Sequence, residues 1–290
     1  MTTRTGASPP HTDFFPAPAA PFAPARWLAT IRDDARLLSR FWPVVRNMVM
    51  QELRVRYQRS VLGFFWTLLN PILMMATLTV VFSQWMGKDS DPFKYAIFLF
   101  AGMVPWGFFA GSLGECATSI ITNEALIRKI YLPKLVFPLA RVLINLTTLL
   151  LSMGALFLLL MPLGARFHVP LVVLPVAVLL FAMFTTGLGL IVATMNTFYR
   201  DCGHFLAVFL QAWYFATPII YPISDRSPAF QRMSWLNPAF PFIRIFQAII
   251  SDGQWPDLTT FLVAAGIATV SLGVGYAAFK SYEDKLVFRL

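Results

Sequence analysis

The chain has 290 residues, of which 57% are hydrophobic and 13% charged, and its mean hydropathy is +0.65. Soluble globular domains are about one quarter charged, so this composition excludes a protein whose whole surface faces water. The formal net charge of +9 does not indicate nucleic-acid binding, because Lys and Arg lie in short segments between long apolar runs. We therefore predict an all-α membrane protein that crosses the bilayer several times.

The N-terminal region divides into two segments before the first long apolar run. Residues 1–25 are rich in Pro and Ala and contain no signal-peptide core, which predicts a disordered tail. Residues 26–60 begin with an amphipathic helix, and we predict a cytoplasmic helix lying in the membrane interface; packing on a soluble domain is the alternative. The apolar side of this helix carries Trp27, Leu28, Ile31, Ala35 and Leu38, and the charged side carries Arg32, Asp33, Arg36 and Arg40.

Six stretches are long and apolar enough to form transmembrane helices, and they define a six-span domain over residues 61–290. A hydrocarbon core about 30 Å thick requires about 20 residues at 1.5 Å rise each. The stretches lie at 62–86, 95–118, 136–161, 170–195, 204–223 and 258–279.

Lys and Arg are distributed unevenly between the two sides of these spans. Nine precede residue 61, four lie between 119 and 141, one is Arg200 and three lie near the C-terminus, whereas the opposite segments together hold six. Positive residues are retained on the cytoplasmic side, so we predict that both termini are cytoplasmic.

The segment between the fifth and sixth spans is apolar, but Pro228, Pro238 and Pro241 interrupt it. No uninterrupted piece is long enough to cross a bilayer. We predict a re-entrant or interfacial helical hairpin on the outer side, whose broken backbone is buried in protein or lines a wet cavity.

In the third span, Arg141, Asn145, Thr148 and Ser152 recur at i, i+4, i+7 and i+11 and form one polar stripe. An Arg within a span normally faces the bundle interior and a partner. Glu115 lies at a similar depth in the second span, so we predict a Glu115 to Arg141 pair that holds the two helices together. A role in transport is the alternative.

Small residues in two spans predict close helix packing. The second span contains a GxxxG formed by Gly107 and Gly111, and Gly266, Thr269 and Gly273 share one face of the sixth span.

Aromatic side chains near the span ends have two uses that the sequence leaves open. Most are expected to contact lipid or to anchor the protein at headgroup level. A minority can line a conduit, in which ring faces slide along the C–H surfaces of sugars while hydroxyl and indole groups exchange hydrogen bonds. The candidates for a substrate conduit are Trp66, Trp106, Phe109, Trp213, Tyr214 and Tyr221.

Motifs for chemistry are missing from the sequence. It contains no G-x-x-x-x-G-K-[ST] and no nucleophilic triad signature, so neither a P-loop nor catalysis is indicated. Cys116 and Cys202 do not suggest a disulfide, and His11, His168 and His204 lie too far apart for a metal site. We predict no enzymatic activity, metal or cofactor in this chain, so energy for transport must come from another chain or an ion gradient.

The run QELRVRYQRSVLGFFWTLLNP, from Gln51 to Pro71, resembles the start of the first span in type 2 ABC exporter permeases that move polysaccharides, including O-antigen and teichoic acid exporters. Further similar runs are NEALIRKIYLPKLVFPLARV, NTFYRDCGHF and the turn from Trp235 to Pro238. The likeness covers about Arg26 to Leu290 in the same order.

This resemblance implies a homodimer of six-span permease subunits in the bacterial inner membrane. Each subunit would bind a separate ATP-binding-cassette ATPase subunit on the cytoplasmic side, and that partner would supply the missing P-loop and bind ATP and Mg. The implied function is export of a lipid-linked, O-antigen-like polysaccharide from the cytoplasmic to the outer side.

The resemblance also implies roles for particular residues. A short helix after the second span would dock into the ATPase, with Asn123 as its cap and Pro133 after its end. The family conduit runs between the first and fifth spans, which favours four of the aromatic candidates, Trp66, Trp213, Tyr214 and Tyr221. The docking residues are Asn123, Glu124, Arg128 and Lys129, and the candidates for binding the pyrophosphate of the lipid carrier are Arg54, Arg56 and Arg59. Simple retention of positive charge in the cytoplasm explains these basic residues as well.

Three other functions remain as alternatives. A drug or small-lipid ABC exporter permease is the nearest within the same family. A secondary transporter would show two related halves and intramembrane acids or histidines, and the sequence shows neither. A membrane glycosyltransferase would place acidic pairs in a loop, whereas the longest outer connection offers only the widely spaced Asp225, Asp252 and Asp257.

Overall fold

The computed structural model describes residues 24–58, 92–130, 132–160 and 168–286, with scattered residues between 69 and 81 and residue 289. These residues are helical or irregular, and no strand occurs among them. The α-helices are α1 Pro24–Arg40, α2 Trp42–Gln58, α3 Pro92–Ser119, α4 Glu124–Lys129, α5 Val136–Leu160, α6 Leu174–Phe198, α7 Cys202–Ala216, α8 Pro228–Ser234, α9 Phe240–Gln247 and α10 Leu258–Leu286.

The chain forms two compact units that meet in sequence between Arg40 and Phe41. The first unit contains α1, whose exposed charged side includes an ion pair of 3.6 Å between Arg36 and Asp33. The predicted tail at 1–25 lies almost entirely outside the described residues. All other helices belong to the second unit.

Four helical segments in the described residues are long and apolar enough to span a membrane. They are Phe93–Ser119, Val136–Ala155, Val169–Phe198 and Leu258–Leu286. These segments match the second, third, fourth and sixth predicted spans, so the chain is an all-α, multi-pass membrane protein. The first predicted span, 62–86, lies largely outside the described residues.

The fifth predicted span, 204–223, is shorter in the structure than in the prediction. Its helix α7 ends at Ala216 after 15 residues, which is about 22 Å and less than the bilayer core. Thr217 is extended because Pro218 follows it, and a residue before proline avoids the helical region. The irregular backbone beyond is hydrogen bonded by side chains. Gln247 donates to the Pro218 carbonyl at 2.9 Å and Tyr95 to the Ile220 carbonyl at 2.7 Å.

Two short helices follow this irregular segment. The Ser227 hydroxyl accepts a hydrogen bond from the Phe230 N–H at 3.4 Å and begins α8. The turn after α8 leads into α9, which is almost entirely buried and continues as a single π-helical turn over Ala248–Asp252. Gly253 ends this turn with a φ of 63°, a left-handed conformation that glycine adopts without strain.

Helices α6 and α10 make the closest helix contact in the described residues. A Cβ atom added to Gly275 would overlap the carbonyl of Gly187, and one added to Gly187 would overlap the backbone of Ser271. The predicted face of the sixth span is not the one that packs against α6, since no described residue lies within 4 Å of a Cβ at Gly266 or Gly273. Close packing uses the neighbouring face of the same helix.

Aromatic rings fill the space between α3, α6 and α9. Phe109 stacks on Phe184 at 5.5 Å between ring centroids, and Phe184 stacks on Phe242 at 4.8 Å. All three side chains are buried. This stack holds α9 against the long helices. Offset ring pairs stabilise the fold by more than the free energy gained from burying their surfaces.

Candidate transport site

Four of the six predicted conduit aromatics meet between α3 and α7. The ring centroid of Trp106 lies 6.0 Å from Trp213 and 5.8 Å from Tyr214, and that of Phe109 lies 5.3 Å from Trp213. Trp66 lies outside the described residues. We call Trp106, Phe109, Trp213 and Tyr214 the aromatic cluster.

Members of the aromatic cluster differ in exposure and in polar contacts. Phe109 has no exposed surface, and its contacts are those of a core residue. The Trp213 indole N–H donates to the Asn237 side-chain oxygen at 2.7 Å, while the Asn237 amide donates to the Thr217 hydroxyl at 2.9 Å. The turn between α8 and α9 therefore fixes the orientation of the Trp213 ring.

Tyr221, the sixth aromatic candidate, lies apart from the aromatic cluster. The guanidinium of Arg226 lies 4.7 Å from its ring centroid, and the ring centroid of Phe230 lies 5.9 Å away. The Tyr221 hydroxyl donates to the Phe215 carbonyl at 3.3 Å. These contacts place Tyr221 with the segment that follows α7.

A cavity of about 630 Å³ lies between α3, α5 and α7, and each of these helices contributes one face to it. Trp106 and Tyr214 of the aromatic cluster line this cavity. The opposite wall is the polar stripe of α5, through Asn145, Thr148 and Ser152. The structure thus joins two features that the sequence presented separately.

Small residues on α3 leave the cavity open. Nothing lies within 4 Å of a Cβ atom built on Gly107 or Gly114, and both glycines line the cavity. Gly111 alone of the predicted GxxxG pair makes a helix contact, since its Cβ would lie 3.0 Å from the Asn145 side-chain oxygen. Gly107 makes no such contact within the described residues.

At the end of the polar stripe, Arg141 binds two carboxylates. Its guanidinium donates to Glu52 of α2 at 3.1 Å and lies 3.9 Å from Glu115 of α3. The side chains of Arg141, Glu115 and Glu52 are 21%, 30% and 37% exposed. This ion cluster connects α2, α3 and α5.

Glu52 was not predicted, although it is the acidic residue in a segment otherwise rich in Arg. The spacing of residues in α2 does not indicate which side chain Glu52 contacts. The available hint is that Glu52 is the one acidic residue of α2, among three arginines.

The three arginines predicted to bind pyrophosphate follow Glu52. Arg54 is exposed on α2. The side chain of Arg56 and the whole of Arg59 lie outside the described residues. The structure therefore gives only the position of Arg54, one helical turn or less from the ion cluster.

The predicted docking residues lie in the connection between α3 and α5. Asn123 lies at the predicted N-cap position of α4, but its side chain forms no capping hydrogen bond there. Its amide instead donates to the Ser119 carbonyl at 2.8 Å, at the end of α3. Arg128 forms an ion pair with Glu124 at 2.9 Å, and the neighbouring Lys129 is exposed. Helix α4 ends at Lys129, because Ile130 is extended.

Asn196, the first residue of the run NTFYRDCGHF, has a structural role. Its amide donates to the Ala117 carbonyl at 2.7 Å, and its oxygen accepts from the Gly203 N–H at 2.8 Å. One side chain thereby fixes the ends of α3 and α6 and the start of α7. Across the described part of the chain, no three His, Cys, Asp or Glu side chains lie close enough to hold a metal ion.

Comparisons with known proteins agree with this architecture. The sequence model of the family described as ABC-2 type transporter matches residues 43–251. The O-antigen export system permease protein RfbA of Myxococcus xanthus is 33% identical over 254 residues, covering 86% of this chain and 96% of that protein. An RfbA of Klebsiella pneumoniae is 29% identical over 245 residues, covering 82% and 90%. The polysialic acid transport protein KpsM of Escherichia coli is 21% identical over 248 residues, covering 84% and 95%.

Proposed function

Since the chain belongs to the ABC-2 type transporter family, we propose that it is the permease subunit of an ATP-driven exporter that moves a polysaccharide across a membrane. The observation that carries the proposal is the match to O-antigen export permeases along most of both chains. The aromatic cluster supports it independently, because it lies beside a mostly apolar cavity with a few polar groups, and saccharides are bound by ring faces and exchangeable hydrogen bonds.

The transported molecule in this proposal is a lipid-linked, O-antigen-like polysaccharide, moved from the cytoplasmic to the outer side of a bacterial inner membrane. Six spans, cytoplasmic termini and a re-entrant hairpin formed by α8 and α9 complete the topology. The uneven distribution of Lys and Arg supports the orientation. The side-chain hydrogen bonds to the irregular backbone after α7 support a buried, broken segment.

Each permease subunit acts in this proposal with a second copy of itself and a separate ATPase subunit that binds ATP and Mg. Support for a second copy comes from α7, which turns large apolar side chains outward on one face, including Phe205, Val208 and Phe209. Support for ATPase docking comes from the exposed charges of α4. Arg128 pairs with Glu124, whereas α4 contains no second carboxylate that could pair with Lys129.

The conduit in this proposal uses Trp66, Trp106, Trp213, Tyr214 and Tyr221, with Phe109 packed behind them. Arg54, Arg56 and Arg59 would receive the pyrophosphate of the lipid carrier where the chain enters the membrane. Glu52 between these arginines and Arg141 links that region to α5 through the ion cluster.

The function is tested by purifying the full chain with its ATPase partner and measuring ATP hydrolysis. We expect a polyprenyl-linked glycan to stimulate hydrolysis and a hydrophobic drug such as rhodamine 6G to have no effect. Stimulation by the drug and not by the glycan would replace this proposal by the drug-exporter alternative.

Docking is tested by a matched pair of exposed lysines. Lys129→Glu on α4 is expected to reduce copurification of the ATPase subunit, because it reverses a charge on the docking helix. Lys94→Glu, at the other end of α3, is expected to preserve it. Equal copurification with both variants would exclude α4 from the docking surface.

A further inference from the structure

The helix α10 is longer than the bilayer requires. Its 29 residues extend about 43 Å, whereas the hydrocarbon core is about 30 Å thick. No charged residue occurs between 258 and 279, but four follow, at Lys280, Glu283, Asp284 and Lys285. The end of α10 therefore projects out of the membrane, and we call residues 280–286 the α10 extension.

One face of the α10 extension is buried. Leu286 has no exposed surface, although Tyr282, Asp284 and Lys285 are exposed. Phe279 lies seven residues earlier, which is two helical turns along the same face, and it is fully buried too. A helix end outside the membrane buries such a face only against other parts of the protein.

The buried residues of this face belong to a small apolar cluster, separate from the larger core around the aromatic rings. We call it the end cluster, and its members are Ile120, Leu190, Ala193, Phe279 and Leu286. Ile127 of α4 packs against the end cluster, and so does Leu135, just before α5. The end cluster therefore joins α6 and α10 to the connection that contains the predicted docking helix.

Helix α4 needs support from outside its own six residues. Isolated helices shorter than about 12 residues are marginal in water, and no residue of α4 is buried. The pair of Glu124 with Arg128 lies within the helix and does not attach it to the rest of the chain. Ile127 is partly buried against the end cluster, so the position of α4 depends on that contact.

The support under α4 is a firmly joined pair of helices. Besides the close contact at Gly187 and Gly275, the Ser271 hydroxyl of α10 donates to the Phe184 carbonyl of α6 at 3.0 Å. At the end of the pair, the ring centroids of Phe198 and Tyr282 lie 5.6 Å apart. A force applied to α4 is therefore passed to α6 and α10 together.

We propose that Phe279 and Leu286 are positioning residues, which hold α4 in the orientation that binds the ATPase subunit. This inference rests on the proposed function and adds the end of α10 to the coupling between ATPase and permease. In this proposal neither side chain contacts the ATPase, and both act through Ile127. Truncating Leu286 loosens α4 while the part of α10 that crosses the membrane is unchanged.

The support of α4 is tested without the ATPase, with the full chain in lipid nanodiscs. A nitroxide label is attached through Lys129→Cys in a Cys202→Ser background, because Cys116 is buried. We expect Leu286→Ala to increase the mobile fraction of the electron paramagnetic resonance spectrum at least twofold. Leu262→Ala, at an exposed position on the same helix, should leave the spectrum unchanged. Equal spectra for the two variants overturn the inference.

The consequence for docking is tested by measuring the Kd of the purified ATPase subunit for the unlabelled permease in nanodiscs. We expect Leu286→Ala to raise this Kd at least tenfold, and Leu286→Met and Leu262→Ala to change it less than twofold, because methionine conserves the volume of leucine. Adding Leu286→Ala to Ile127→Ala should weaken binding no further, because both changes remove the same support. Losses that add in the double variant overturn the inference.

Lys129→Glu separates failure of this inference from failure of the proposed docking. Weaker ATPase binding in Lys129→Glu, with unchanged binding in Leu286→Ala, rejects the positioning role and leaves α4 as the docking helix. Unchanged binding in Lys129→Glu rejects docking through α4, and the inference falls with it. Thermal unfolding identifies a Leu286→Ala chain that does not fold, and the label spectrum of Ile127→Ala against Leu262→Ala then decides by the same twofold criterion.

Discussion

Replacing Arg141 by Gln removes the positive charge that lies between Glu52 and Glu115. At an effective dielectric constant of about 20, the attraction is about 5 kcal/mol at 3.1 Å and about 4 kcal/mol at 3.9 Å. Desolvation and partial exposure of all three side chains cancel much of this attraction. We expect Arg141→Gln to cost about 2–3 kcal/mol, because two partly buried carboxylates lose the positive charge of Arg141.

The same geometry ranks the other single variants. Glu52→Gln removes the hydrogen-bonded carboxylate and is expected to cost about 1 kcal/mol. Glu115→Gln is expected to cost less, because Arg141 keeps its nearer partner. Adding Glu115→Gln to Arg141→Gln should recover about 1 kcal/mol by removing one of the two negative charges that Arg141 no longer offsets, so the two changes are not additive.

These effects are measured from the thermal unfolding of the purified chain by circular dichroism. A loss of 2–3 kcal/mol corresponds to a decrease of about 5–10 °C in the midpoint. Arg128→Gln is the control, because its pair with Glu124 is more exposed and is worth about 0.5 kcal/mol. Equal shifts for Arg141→Gln and Arg128→Gln, or no recovery in the double variant, would refute the assignment of charge pairing to Arg141.

Three further changes test the packing of the helices by the same unfolding measurement. Gly275→Ala places a methyl group against the Gly187 carbonyl and is expected to cost about 3 kcal/mol, whereas Gly273→Ala has open space and should cost nothing. Asn237→Ala removes the acceptor of the Trp213 indole N–H and of the Ala239 N–H and is expected to cost about 3 kcal/mol, while Asn237→Asp keeps the oxygen that both groups bind. Gly253→Ala forces alanine into the left-handed region and is expected to cost 1–2 kcal/mol, roughly.

Helix positions could be predicted from the sequence wherever one apolar run corresponds to one helix. The predictions at 95–118, 136–161, 170–195 and 258–279 succeeded on that basis. The run at 204–223 is helical only as far as Ala216, because hydropathy does not report backbone conformation. The Thr217-Pro218 pair ends α7 inside an uninterrupted apolar stretch, because a residue before proline avoids the helical conformation. This pair was the sequence signal for the end of the helix.

The partner of Arg141 could be predicted only in part. Equal depth in adjacent spans indicated Glu115, which lies 3.9 Å away. That comparison covers residues inside spans, and Glu52 comes from the helix that precedes the first span. Its approach depends on how α2 packs against α5, a tertiary feature with no periodic signature in the sequence.

The polar stripe of α5 shows why a face can be predicted when its surroundings cannot. Spacing of 3.6 residues per turn placed Arg141, Asn145, Thr148 and Ser152 on one side of the helix. The first member meets carboxylates, and the other three meet a cavity. What they meet depends on α3, where glycine at 107 makes room for a ligand-sized space although the same GxxxG spacing predicts close packing. A glycine in a membrane helix allows either close contact with another helix or an open space, and the position of the facing helix determines which of the two occurs.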